Sequence, residues 1–507
     1  MLSVDDTTPF PPCPGPFNMA AHVLGRAEAL ADKIAVSVVS DRHVERMSYA
    51  ALLAAVRGTG AGFLQAGCAP GDKILLRLGN TIDFPIAYLG ALAVGLVPIP
   101  TSAALTTTEV AHIVAEMRPR VILRDPGVAS APGAPEIGLA TLRAMRALPP
   151  APFDMGDPDR LGYVVYTSGT SGAPRAVAHA HRAIWARQMM HQGWYGLSET
   201  DVLMHAGAFN WTYTLGTGLM DPWTVGATAL IPADGTQAAD LGALMARHKA
   251  TIFAAAPGVY RQMLNRATLP DLPDLRHGLS AGEKLPSATL SAWRQATGTP
   301  IHEAYGLSEC STFVSASPDA PCDPAALGRA QPGRRVAIVG NDGPVARGTP
   351  GVIAIHRDDP GLMLGYLSHP EETEARFNGD WFMTGDLGAM QADGQIRYLG
   401  RNDDMMNAGG YRVSPIEVES VILAAPGVIT AGVAEVEVKP GARVIVAFYT
   451  SAKALDEAAL RTYVEANLAK YKQPRAYIRL PQMPTGANGK ILRRRLHLFW
   501  PENTKAH

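Results

Sequence analysis

Short apolar runs with the composition of buried strands alternate with helical stretches along most of this chain, a pattern that leads to parallel sheets covered on both faces by helices. Strands are predicted at Lys73 to Leu78, Val97 to Pro100, Gly162 to Tyr166 and Thr251 to Ala255, with helices at Phe84 to Val94 and Thr108 to Met117. From residue 327 the strands shorten, as in Arg335 to Val339 and Gly351 to His356. Gly, Pro and Asp turns crowd between them, which predicts an antiparallel or barrel-like part. Beyond Arg401, helices at Ile416 to Leu423 and Glu457 to Lys470 and a strand at Val444 to Thr450 make a small α+β unit. At 507 residues the chain exceeds the roughly 250–300 residues that one core can serve. The reading is therefore α/β, with a large N-terminal domain (1–401) of parallel-rich sheets, helices and a small β-barrel-like part, and a small C-terminal domain (402–507).

Composition narrows the function. Lys and Arg total 45 against 46 Asp and Glu, so no general attraction to nucleic acid or an anionic membrane is expected. The dense basic run Arg493-Arg494-Arg495 reads as a solvated helix face. Cys13, Cys68, Cys310 and Cys322 lie far apart without metal-site spacing, which suits a reducing cytoplasm. The acidic, proline-rich start lacks the marks of a signal peptide. Phe84 to Thr101 carries no charge, but its prolines and glycines favour a buried helix running into a strand over a membrane span.

The segment YTSGTSGAPR, Tyr166 to Arg175, follows a strand directly and has the makings of a phosphate cradle. Gly169 and Gly172 permit tight turns, Thr167, Ser168, Thr170 and Ser171 offer hydroxyl donors, and Arg175 adds a fixed positive charge. It is not a Walker A loop, and taken alone a Ser/Thr/Gly stretch is only a loop. Gly306-Leu307-Ser308-Glu309-Cys310 lacks the closing glycine of a hydrolase nucleophile elbow. His179 and His181 have no evident third ligand and read as structural or pocket-lining.

YTSGTSGAPRAVAHAH resembles the phosphate-loop motif of the acyl-adenylate-forming superfamily, which includes acyl-CoA synthetases, peptide-synthetase adenylation domains and firefly luciferase. Phe84 to Val114, SAGEKLP (280–286), EAYGLSE (303–309), WFMTGDLG (381–388), YLGRNDDMMNAGGYRVSPIEVE (398–419) and PTGANGKILRR (484–494) are similar to the family's other motifs, in the same order. The resemblance implies ATP, Mg2+ and coenzyme A as co-substrates or cofactors. It implies adenine and phosphate contacts at Ala281, Gly282, Glu283, Tyr305, Gly306 and Ser308, with Glu309 as the magnesium residue. It places Asp386 and Arg401 at the ribose, Lys490 at the adenylation step, a hinge at Asp403 and a pantetheine passage at Gly409 and Gly410. On this reading the C-terminal domain is mobile. The family's loop usually ends in Lys-Gly; here Arg175-Ala176 keeps the charge.

The same resemblance assigns the acid pocket to Phe209, Asn210, Trp211, Tyr213, Gly216, Ala256, Ser280 and Ala304. The aromatic residues are as readily core packing as pocket lining, and Gly216 and Gly218 are expected to leave room. No Lys or Arg in these stretches can pair with a second carboxylate, and Asn210 stands where amino-acid-activating members usually carry Asp. The expected substrate is an aryl monocarboxylic acid of benzoate type, plain or with an ortho hydroxyl or amino group, with a medium-chain acid as rival. The expected activity is ATP-dependent carboxylate–CoA ligation through an acyl-AMP. The 507 residues hold no carrier domain, so free CoA is expected as acceptor and a separate carrier protein is the alternative. A non-catalytic nucleotide-binding relative would be expected to lack Lys490, Glu309 or Asp386, all present here. The oligomeric state is open between monomer and homodimer.

Overall fold

A computed structural model describes residues 1–5, 9, 11–167, 174–266, 268–402, 404–408, 411–439, 442–486 and 491–501. Two compact units emerge, one of residues 5–336 and 355–382, the other of 1–4, 337–354 and 383–507.

The larger unit is built on parallel strands. Ile301–Leu307, His277–Ala281, Ile252–Ala255, Val202–Ala206, Thr228–Pro232 and Ile34–Val39 pair in that order, each parallel to the next. Antiparallel partners, Val44–Ser48 and Ser311–Ser315, flank this run. Side chains alternate across a strand, so the sheet has two apolar faces. Met204, Phe253 and Ala255 pack on one side with Tyr260, Met263 and Trp293. Leu203, Ile252, Ala254, Leu279, Ala281 and Ala304 pack on the other with Trp194, Tyr195 and Tyr213.

A second parallel sheet orders Val97–Pro100, Lys73–Arg77, Val121–Arg124 and Glu136–Gly138. The helix Thr107–Met117 covers it because Val110, Ile113, Val114 and Met117 recur at helical spacing on one buried face. A capping box between Thr106 and Glu109 starts that helix, and Arg118 in the left-handed region ends it. The uncharged stretch after Asp83 is a wholly buried helix, Asp83–Ala93, leading into the strand Val97–Pro100. Among the described residues no helix is long and apolar enough to cross a membrane.

In the smaller unit, residues 383–390 of the strand Trp381–Met390 pair antiparallel with Ile396–Arg401. Thr430–Lys439 pairs antiparallel with Ala442–Thr450, which pairs parallel with Ala476–Arg479. Helices Pro415–Leu423 and Glu457–Asn467 start at Ser414 and Asp456, whose side chains accept backbone N–H bonds. Arg494 and Arg495 are exposed as the basic run suggested. Arg493 is not: its guanidinium forks onto Glu419 with two 2.7 Å bonds, so one residue of the expected solvated face is a structural tie.

Candidate functional site

Leu161–Thr167 and Arg175–Ala180, which flank the phosphate-loop segment in sequence, pair antiparallel with Thr167 directly opposite Arg175. Ser168, Gly169, Thr170, Ser171 and Gly172 lie outside the described residues. Arg175 donates to Glu372 at 2.5 Å. Ala176 is buried in the strand and takes ordinary strand pairing with Tyr166.

Glu309 sits in the turn between two antiparallel strands of the larger unit. Its Oε1 accepts a 2.7 Å bond from the Tyr366 phenol, and its carbonyl accepts from the Met363 amide at 2.7 Å. Burial and the neighbouring Glu309 push the Tyr366 hydroxyl well up, so it stays a donor. The Ser308 carbonyl bonds His179 Nε2 at 2.7 Å. His179 lies stacked against Tyr163, and burial lowers its imidazole to about 4, so it is neutral and Nε2 carries the proton. His181 Nδ1 accepts from the Met19 amide at 3.0 Å. Each imidazole ties to a backbone group, and among the described residues no group of three or more His, Cys, Asp or Glu could hold a metal.

Tyr305 presents an aromatic ring edge-on to Phe313, and a bulge between Tyr305 and Gly306 shifts the register there. A Cβ at Gly306 would lie 2.1 Å from the Ser311 carbonyl oxygen, so only glycine fits this approach. Gly282 has φ +96, a conformation that suits glycine, and a Cβ there would meet the Trp211 ring at 2.8 Å. Ala281, which precedes it, is buried, and Glu283, which follows, is half-buried.

The predicted acid-pocket residues come together only in part. Ala304 pairs with Ala281 and shares a face with Tyr213, against which Trp211 stands edge-on at 5.5 Å. The Tyr213 phenol donates to the Leu279 carbonyl. Phe209 is buried beside Phe84, and Asn80 holds its loop by accepting from the Phe209 amide at 3.0 Å. Asn210 and Ala256 are half-buried. Ser280, by strand alternation, turns to the opposite face, in register with Ala255 and Glu303.

The glycines correct the sequence expectation. A Cβ at Gly216 would lie 2.3 Å from the Arg187 guanidinium, and one at Gly218 would lie 2.7 Å from His205 Cβ. The space they leave is filled from within, by Arg187 and His205. Arg187 is buried and clamped by Asp221, with Nη2–Oδ2 at 2.6 Å and Nε–Oδ1 at 3.0 Å.

In the smaller unit, strand register explains a pair 15 residues apart in sequence: Asp386 stands directly opposite Arg401. Asp386 is 7% exposed, lies 3.5 Å from Arg401 Nε and accepts from the Tyr398 phenol at 3.2 Å. Burial, with Asp386 beside it, holds that phenol protonated. Asp403, Gly409, Gly410 and Lys490 lie outside the described residues. Sequence reasoning missed Tyr366 and Asn80, which lie outside the quoted motifs, and gave Tyr398 no role although it opens the segment 398–419.

The AMP-binding enzyme family matches residues 25–367, and the AMP-binding enzyme C-terminal domain matches 417–490. The chain belongs to the AMP-binding enzyme family. Benzoate–CoA ligase of Thauera aromatica is 30% identical over 98% of this chain and 99% of its own length. 3-Hydroxybenzoate–CoA ligase of an Aromatoleum strain is 29% identical over 95% and 97%. The crystal structure of the anthranilate CoA ligase AuaEII in complex with anthranoyl-AMP superimposes with a TM-score of 0.87 at 26% identity, covering 96% of this chain and 98% of that one. The protein is thus an AMP-forming acid–thiol ligase, with the α/β architecture of its structural relatives.

Proposed function

We propose that this ligase acts on an aromatic monocarboxylic acid and free CoA. The observation that carries the proposal is the lining of the acid-binding face: small Ala254, Ala281 and Ala304 beside Trp211 and Tyr213, with the nearby Arg187 already neutralised by Asp221. Flat apolar walls suit a ring, and among the described residues there a second carboxylate on the acid would find no available cation. The aryl–CoA ligases among its relatives point the same way.

In the first step a carboxylate oxygen of the acid attacks the α-phosphorus of ATP, the bond to the β-phosphate breaks, and pyrophosphate leaves. In the second the CoA sulfur attacks the acyl carbonyl and AMP leaves. Lys490 meets the charge that builds up in the first step, Asp386 and Arg401 hold the ribose, and Tyr305 flanks the adenine. Thr167 and the loop after it, with Arg175, take the phosphates. Glu309 fits magnesium: it is a hard oxygen donor held by one neutral phenol, the kind of single carboxylate that supports an ion bound mainly by phosphates. Such an ion would neutralise phosphate charge. The segment 402–507 turns about Asp403 between steps, and Gly409 and Gly410 pass the pantetheine arm.

ATP–pyrophosphate exchange across aryl, medium-chain and amino acids tests the substrate, and thioester formation with CoA alone tests the acceptor. Exchange with benzoate-type acids is expected. Exchange confined to alkanoic or amino acids overturns the substrate, and no thioester without an added carrier protein overturns the acceptor. Asp386→Asn is expected to raise the KM for ATP by about 30-fold with a smaller change in kcat, since it removes a charged acceptor from the ribose. An unchanged KM removes Asp386 from the site.

A further inference from the structure

The strand Val202–Ala206 carries a buried histidine, His205, one residue before its end. His205 pairs in register with Ala254 and so faces the same side as Leu203, Ala281 and Ala304, the acid-binding face. It is 4% exposed and Thr214 is 0% exposed. Among the described residues neither ring nitrogen of His205 has a hydrogen-bond partner, and neither does Thr214 Oγ1. The imidazole is wedged rather than loose, with Tyr213 edge-on at 4.4 Å and Gly218 against its Cβ. The two side chains border the same glycine, Gly207. A Cβ at Gly207 would lie 2.4 Å from Thr214 Oγ1 and 3.1 Å from His205 Nδ1. Buried polar atoms left unmet destabilise a fold, so their persistence at one spot calls for an occupant.

We propose that His205 and Thr214 form a polar subsite of the acid pocket that takes a hydroxyl or amino substituent on the ring of the aromatic acid. This rests on the reading of the substrate as an aromatic acid. Burial lowers the imidazole to about 3, so it offers one N–H donor and one bare nitrogen. A hydroxyl substituent donates to that bare nitrogen and accepts from Thr214, or the reverse. An anionic substituent is not served, because the nearby Arg187 is held by Asp221.

The test is kcat/KM for acyl-CoA formation with benzoate and its 2-, 3- and 4-hydroxy and amino derivatives, on the parent enzyme and on His205→Leu and Thr214→Val. At least one derivative should be preferred over benzoate by about 30-fold or more, because a site built to hydrogen-bond a group rejects the analogue lacking it. Each substitution should cut that preference ratio about tenfold. Parent enzyme that uses benzoate at least as well as every derivative overturns the subsite, as does a preference ratio that neither substitution changes. If His205→Leu does not fold, Thr214→Val, nearly isosteric, decides alone. Failure to use any aromatic acid overturns the substrate reading itself, a different outcome from activity without preference.

Discussion

Replacing Lys490 by alanine is expected to slow acyl-adenylate formation by about a thousandfold, close to 4 kcal/mol of transition-state stabilisation. Thioester formation from supplied acyl-AMP and CoA should fall no more than about threefold. The asymmetry follows from where charge appears. In the first step a carboxylate approaches a polyanion, and negative charge spreads over the oxygens of the α-phosphorus as pyrophosphate departs. An ammonium on a flexible stem meets that charge, and a methyl group does not. In the second step the thiol attacks a carbonyl already activated by its phosphate leaving group. Stopped assays of the two half-reactions separate the cases. Equal losses in both would mean that the substitution acts through folding or nucleotide binding, and full adenylation would remove the lysine from the chemistry. Lys490→Arg keeps the charge and should recover only part of the rate, since a planar guanidinium cannot replace a compact ammonium.

The parts of this fold that sequence could reveal are those written in local periodicity. The helix Thr107–Met117 is read from the sequence as Thr108 to Met117, and the structure places its start one residue earlier. The uncharged run after Asp83 is readable as buried helix and strand because its prolines and glycines break a membrane span. Motifs name the candidate site residues, and strand register then sets Asp386 opposite Arg401. Contacts between distant segments were not legible. Tyr366 reaches Glu309 across 57 residues, and Asn80 reaches Phe209 across 129, with no local pattern to announce either. The glycines at 216 and 218 show the same limit from the other side. A missing side chain signals space, but only the folded packing shows that Arg187 and His205 fill it.

Arg187 carries the second large effect. Replacing Asp221 by asparagine is expected to lower the stability of the larger unit by about 3–5 kcal/mol, because a buried guanidinium loses its counter-charge. Arg187 and Asp221 are 6% and 0% exposed, and the Tyr195 phenol donates to Asp221 at 2.8 Å while bonding Thr217 at 2.9 Å. Burial alone would lower the Arg187 pKa, and the carboxylate reverses that and raises it well above the ordinary value. Arg187 also donates to the Ser311 hydroxyl, at the start of the strand that follows the Glu309 turn, where Ser311 itself has a positive φ of 61°. The pair therefore braces the turn carrying Glu309, and loss of stability should come with a weaker response to magnesium. The midpoint of denaturant unfolding for Asp221→Asn measures the first effect, and the magnesium dependence of pyrophosphate exchange measures the second. A double variant, Arg187→Met with Asp221→Leu, separates charge from packing. Removing both charges together should leave the protein more stable than Asp221→Asn alone, since the cost lies in stranding one ion rather than in lacking the pair. If the single variant unfolds at the parental midpoint, the buried ion pair does not brace this unit.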